Sequence, residues 1–171
     1  MHKKDFQLLE LIAEHCKDIM EMSVRFGNTK SDFKNDKYYQ YAACMCILQI
    51  GENVNQLSDD SKNILQNINI KSLKTMRNIF AHNYGIMNVD MTWNTITKII
   101  PILYKECRNA LSSEYAYKNV TKEECDAITK AGILITIKSD NNLYAIRFHK
   151  DDEEKINNIL KSSPPQYKPK L

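Results

Sequence analysis

The chain has 171 residues, 43% of them hydrophobic and 26% charged, with a formal net charge of +3. That length suits one domain with a small appended module, and the composition excludes collagen-like, mucin-like and wholly disordered chains. So slight a positive excess means that any nucleic-acid partner must be held by a local basic patch.

No apolar run approaches the roughly 20 residues of a membrane span. The start, Met1-His2-Lys3-Lys4-Asp5, leads into a periodic polar/apolar pattern instead of a signal-peptide apolar block. A cytoplasmic protein with no membrane partner is expected. Cys16, Cys44, Cys46, Cys107 and Cys125 are odd in number and contain no Cys-x-x-Cys pair, which points to reduced thiols. His2, His15 and His149 have no metal-ligand spacing with one another or with the cysteines, so no metal is expected.

Apolar residues recur at helical spacing over the first two thirds of the chain. Phe6, Leu9, Ile12, Ala13, Cys16, Ile19 and Met20 mark a first long helix, stopped by Gly27-Asn28. A second begins near Ser31 or Asp36 and runs through Tyr38, Tyr41, Ala42, Met45, Leu48 and Ile50 to Leu57. Gly51 falls inside it and suits a close helix approach, a bend or a neutral accident. Asp59 to Ile68 reads as a short connecting helix. The third spans Lys71 to about Asn83 on a stripe of Leu73, Met76 and Phe80. A fourth runs from about Val89 to Leu111, with a kink expected at Pro101 because proline lacks the amide hydrogen and crowds the preceding turn. Four antiparallel helices with short connections are the economical arrangement.

After Tyr117 the pattern changes. Thr121-Lys122-Glu123-Glu124 is a capping box opening a short helix that stops at Gly132. Ile133, Ile135 and Ile137, the turn residues Asp140-Asn141-Asn142, and then Tyr144, Ile146 and Phe148 predict a β-hairpin. Asp151 to Glu154 supply acids to the first turn of a last helix ending near Leu160. The expected organisation is a helical bundle over 1–115, a small α-β-β-α module over 116–161 and a disordered tail over 162–171.

The densest set of chemically capable groups is Arg77-Asn78-Ile79-Phe80-Ala81-His82-Asn83-Tyr84. Asn78 and His82 are four apart and adjacent on a helix, and Lys71 and Lys74 precede Arg77 at steps of three, forming a cationic stripe. A guanidinium holds a phosphodiester through two hydrogen bonds, and an imidazole moves protons near neutral pH. Those are the tools of metal-free RNA cleavage, in which a base frees the ribose 2′-hydroxyl to attack the adjacent phosphorus. Equally, a histidine near a helix carboxyl end can be a capping residue and an arginine beside an asparagine a solvated face.

The surrounding text, Ile50-Gly51-Glu52-Asn53-Val54-Asn55-Gln56-Leu57, Met76 through Tyr84 and Trp93-Asn94-Thr95-Ile96, closely resembles the HepT-like family of HEPN-domain toxins over about residues 5 to 112. The resemblance implies a mainly α fold, a four-helix HEPN-type bundle that forms a homodimer with a composite, metal-independent endoribonuclease cleft and no cofactor. It also implies that Arg77 and His82 are the catalytic pair, that Asn78 orients, and that Tyr84 is regulatory, receiving AMP from a cognate nucleotidyltransferase antitoxin of the MntA type. Lys71 and Lys74 are candidate RNA contacts. Glu52 is a candidate supporting acid that pairs with Arg77 or with the partner subunit, or lies on a solvated face. Tyr38, Tyr39 and Tyr41 suit base stacking or core and dimer packing. No glycine-rich phosphate loop and no Gly-x-Ser-x-Gly elbow is present. A rival reading is a non-enzymatic HEPN interaction or substrate-binding subunit of a nucleotidyltransferase. The segment after about Tyr115 has no counterpart in compact HepT-like proteins, and Lys138, Arg147, His149 and Lys150 near the hairpin ends suit docking of an antitoxin, RNA or a second subunit.

Overall fold

A computed structural model describes residues 1–82, 88–140 and 143–162. Its contacts divide the chain into two compact units, Met1–Ser113 and Glu114–Leu171. The first is the mainly α, HEPN-type bundle.

Helix α1, Lys3–Phe26, carries Leu9, Ile12, Cys16 and Ile19 at helical spacing, all fully buried, and Gly27 ends it at a φ of 113°. Of the two starts open to the second helix, Asp36 is the one used, and the stretch around Ser31 forms a short helix of its own. Thr29 opens α2, Lys30–Asn35, with a capping box, and Asp36 then opens α3, Lys37–Gln56, by accepting hydrogen bonds from the amides of Tyr38 and Tyr39. An aspartate whose side chain serves those amides breaks the helix that its backbone would otherwise continue. The short α4, Asp59–Ile64, is capped by Ser58, and the carboxylate of Asp5 accepts from the Ser58 amide, the Ser58 hydroxyl and the Ser61 hydroxyl, at 3.0, 2.6 and 3.0 Å. That bond set ties the start of α1 to the start of α4. Burial pushes the Asp5 carboxyl up, the serine hydrogen bonds and His2 pull it down, and the bonds prevail, leaving it below the ordinary aspartate value.

Helix α5, Ile70–His82, packs on α3, and α1 packs on both α3 and α7. The fourth helical segment is interrupted: α6, Val89–Asn94, passes into a π-helical turn, Thr95–Ile99, before α7, Ile100–Ser112. The Ile100 amide reaches back five residues to the Thr95 carbonyl, so the widened turn immediately precedes Pro101, which sits in the first turn of α7. A proline ring crowds the carbonyl four residues earlier, and a five-residue bond opens the spacing there.

The second unit adds an element that the sequence reading did not anticipate. Strand β1, Tyr115–Val120, precedes α8, Lys122–Lys130, and then come the expected hairpin strands β2, Ile135–Asp140, and β3, Leu143–His149. All pairing is antiparallel in the order β1-β3-β2, with Tyr115 opposite His149 and Ile135 opposite Phe148. A 3-10 turn, Lys150–Asp152, leads into α9, Glu153–Ser162. Val120, Ile146 and Phe148 from the sheet meet Cys125, Ile128, Ile133 and Ile156 in one apolar core. The third strand explains how so short a segment assembles, because a lone two-stranded hairpin is marginal in water. Turn residues 141–142 and the tail from 163 onward lie outside the described residues.

Candidate active site

The site is built where α5 crosses α3. A Cβ on Gly51 would stand 2.6 Å from the Arg77 Cβ and 3.4 Å from the Leu73 carbonyl oxygen. No larger residue leaves room for that approach, so the glycine in mid-helix is a packing requirement. It seats Arg77 directly over α3, beside the next residue, Glu52.

The Arg77 Nε lies 2.6 Å from Glu52 Oε1, and its Nη2 donates to Glu52 Oε2 at 2.9 Å. This is a two-point fork on the side-on edge of the guanidinium, with the two side chains 28% and 37% exposed. From the far end, Nη1 donates to the Asn78 Oδ1 at 2.8 Å. The plane of the guanidinium is thereby held at three points. Each terminal nitrogen carries two hydrogens, so each has one donor beyond these bonds that an anion such as a phosphate oxygen can use. Behind Arg77, Met76 is buried and its sulfur accepts a hydrogen bond from the Thr95 hydroxyl at 3.0 Å, joining α5 to the π-helical turn.

Of the remaining predicted residues, Lys71 is exposed and Lys74 half-buried on the same helix. His82 closes α5, one turn beyond Asn78. Its side chain, like the whole of Tyr84, lies outside the described residues. The structure thus brings together Gly51, Glu52, Arg77 and Asn78 from separate stretches of sequence.

The comparisons decide what kind of bundle this is. The family description "Ribonuclease HepT-like" matches residues 12–110, which is more than half of the chain. The chain belongs to the HepT-like ribonuclease family. A protein of Methanocaldococcus jannaschii named "Gamma-glutamylcyclotransferase and putative RNase" is 28% identical over 126 residues, covering 68% of this chain and 53% of its own length. A "Putative RNase" of the same organism is 30% identical over 107 residues, 62% of this chain and 87% of its own. Another, from Caldanaerobacter subterraneus subsp. tengcongensis, is 29% identical over 106 residues, 62% of this chain and 93% of its own. The chain therefore spans about half the length of the first of these relatives. No solved structure matches it.

Elsewhere in this HepT-like chain, several candidates resolve into structural roles. Tyr39 is fully buried, stacked on Phe26 at 5.4 Å, edge-on to Phe33 at 5.0 Å and bonded to the Ser23 hydroxyl at 2.8 Å. Tyr38 and Tyr41 remain exposed. In the second unit, His149 is buried 3.6 Å from Glu114, and Lys150 pairs with Glu114 at 3.0 Å. Arg147 lies 4.1 Å over the Tyr115 ring and donates to Thr136 at 3.2 Å. Lys138, on β2, is exposed. All five cysteines are buried, and none is in a disulfide.

One grouping escaped the sequence reading: His15, Asp18 and Cys46. His15 and Asp18 are a helical turn apart, but Cys46 comes from another helix. Ligand spacing along one stretch of sequence does not report the register between two packed helices. Among the described residues no helix is long and apolar enough to cross a membrane.

Proposed function

We propose that this chain is a metal-independent endoribonuclease of the toxin kind, acting through a composite site in a homodimer. The carrying observation is the guanidinium of Arg77, fixed by Glu52 and Asn78 and with more donors on its terminal nitrogens than these bonds use. Pairing with Glu52 lowers the net field of each site, so two copies facing one RNA strand supply the positive charge that one site lacks.

His82 takes the proton from the ribose 2′-hydroxyl, the 2′-oxygen attacks the adjacent phosphorus, and the 5′-oxygen leaves with a proton from the acid form of an imidazole. A 2′,3′-cyclic phosphate and a 5′-hydroxyl result. Arg77 neutralises the charge gathering on the phosphorane oxygens, Asn78 sets the guanidinium plane, and Lys71 and Lys74 continue the cationic track along α5. Glu52 acts through Arg77 and is a positioning residue. A nucleotidyltransferase partner that adds AMP to Tyr84 silences the site, because a phosphate group and its nucleoside near Arg77 compete for the place of substrate phosphate. Support for this reading comes from the intact Arg77, Asn78, His82 and Tyr84 pattern and from the names of the relatives.

The test is cleavage of purified RNA in EDTA by the wild type, Arg77→Ala and His82→Ala. Loss of about 10²–10⁴-fold in rate for both variants, with unchanged melting, is expected. Equal cleavage by all three overturns Arg77 and His82 as its catalytic pair, and none by any overturns the ribonuclease and leaves the bundle a binding subunit.

A further inference from the structure

We infer that His15, Asp18 and Cys46 form a three-ligand site for a divalent transition ion of the zinc class, with water in the fourth position. One donor atom from each residue lies within 4.8 Å of the other two, and the His15 Nδ1 stands 3.7 Å from the Asp18 carboxylate. Tetrahedral zinc with bonds of about 2.0–2.3 Å sets its ligands roughly 3.3–3.8 Å apart. Small side-chain rotations therefore close the triangle without moving a helix.

The donor set itself selects the ion. A thiolate, an imidazole and a carboxylate together suit zinc, whereas calcium and magnesium take oxygen ligands. Two anionic donors and one neutral donor also cancel the 2+ charge. The His15 Nδ1 is buried with no hydrogen-bond partner, an uncompensated polar atom of the kind that coordination satisfies. Of the three side chains Asp18 is the most open, at 45% exposed, so an ion would arrive from the side of that carboxylate.

Cysteine ligates as the thiolate, so the Cys46 sulfur gives its proton to solvent as the sulfur–metal bond forms. The ion would clamp α1 to α3 at a point about 9 Å along α3 from Glu52, six residues at about 1.5 Å each. It would thus brace the helix that holds Arg77 while taking no part at the scissile phosphate.

The experiment uses the full-length protein stripped of metal by dialysis against a chelator, then titrated with cobalt(II) and afterwards with zinc. One equivalent of cobalt should produce a thiolate-to-cobalt charge-transfer band and strong tetrahedral d–d absorption, bleached by zinc, with release of about one proton per ion. Cys46→Ser should abolish the charge-transfer band, and Asp18→Asn should weaken cobalt binding by about 10-fold or more, since even outer-shell changes cost that much. Cys44→Ser, two residues from the site, should behave as wild type. Zinc should also raise the melting temperature of the wild type and of Cys44→Ser but not of Cys46→Ser, a check that separates lost binding from lost folding. Absence of the charge-transfer band in the wild type, or its persistence in Cys46→Ser, overturns the site. RNA cleavage is not among the readouts, so the result stands apart from the ribonuclease reading.

Discussion

Where α3 meets α5, two helices come close enough to require Gly51, and the contact is crowned by a charged fork between Glu52 and Arg77. The sheet unit gathers Val120, Cys125, Ile128, Ile133, Ile146, Phe148 and Ile156 into an apolar core, beside its own buried charged groups Glu114, His149 and Asp152. An ion pair at the edge of solvent returns little stability, about 0–1 kcal/mol, while burying a large apolar side chain returns about 1.5–3 kcal/mol. The first region therefore spends close packing on orienting a group, and the second spends it on holding together. Changes in one should be read in activity and changes in the other in stability.

The widest separation between the two readouts comes from Phe148→Ala. Emptying that position should cost about 3–5 kcal/mol, enough to unfold so small a unit, yet leave Arg77-dependent RNA cleavage in place. Circular dichroism melts and limited proteolysis beside a cleavage assay measure both, and a parallel loss of activity would erase the contrast. Gly51→Ala sharpens it from the other side. Overpacking against the Arg77 Cβ costs about 1–3 kcal/mol, and about 1 kcal/mol returns through alanine's helix propensity. A net loss of about 0–2 kcal/mol should lower melting modestly, while cleavage falls well below wild type, because the guanidinium no longer sits beside Glu52.

The smallest effect belongs to Asp5, whose folded carboxyl lies below its unfolded value. Its contribution is complete above the unfolded value and is lost as pH falls through the folded one. Urea midpoints of wild type and Asp5→Asn should differ at neutral pH and converge in acid. A gap that stays constant down to low pH would show that the serine bonds do not depend on charge.

Local signals carried most of the bundle. The 3.6-residue stripe of α1 and its stop at Gly27 are complete within one stretch of text, and so is the capping box of α8. The choice between Ser31 and Asp36 as the start of α3 was less legible, because it depends on which side chain turns to the following amides. Strand β1 was illegible for a different reason: Tyr-Ala-Tyr-Lys-Asn-Val has little apolar alternation, and its partner, β3, lies about thirty residues further on. At the site, the fork between Glu52 and Arg77 was one of the pairings open to the sequence, and Gly51 one of the glycines open to a packing role. What chose among the alternatives was the crossing of α3 and α5. The same kind of crossing, between α1 and α3, hid the His15, Asp18 and Cys46 cluster.

The π-helical turn at Thr95–Ile99 also bears on how the chain can change length. A five-residue bond houses one residue more than an α-helical turn does, so the buried faces before and after it stay in phase. Elsewhere in a helix, adding or removing one residue rotates all that follows by about 100° and turns the apolar stripe off the core. Here a single deletion, with Pro101 replaced so that its ring no longer crowds the turn, would leave Ile96, Ile100, Leu103 and Cys107 facing inward. The segment is the bundle's slack, where an inserted residue can be kept or lost without re-sorting which side chains meet water.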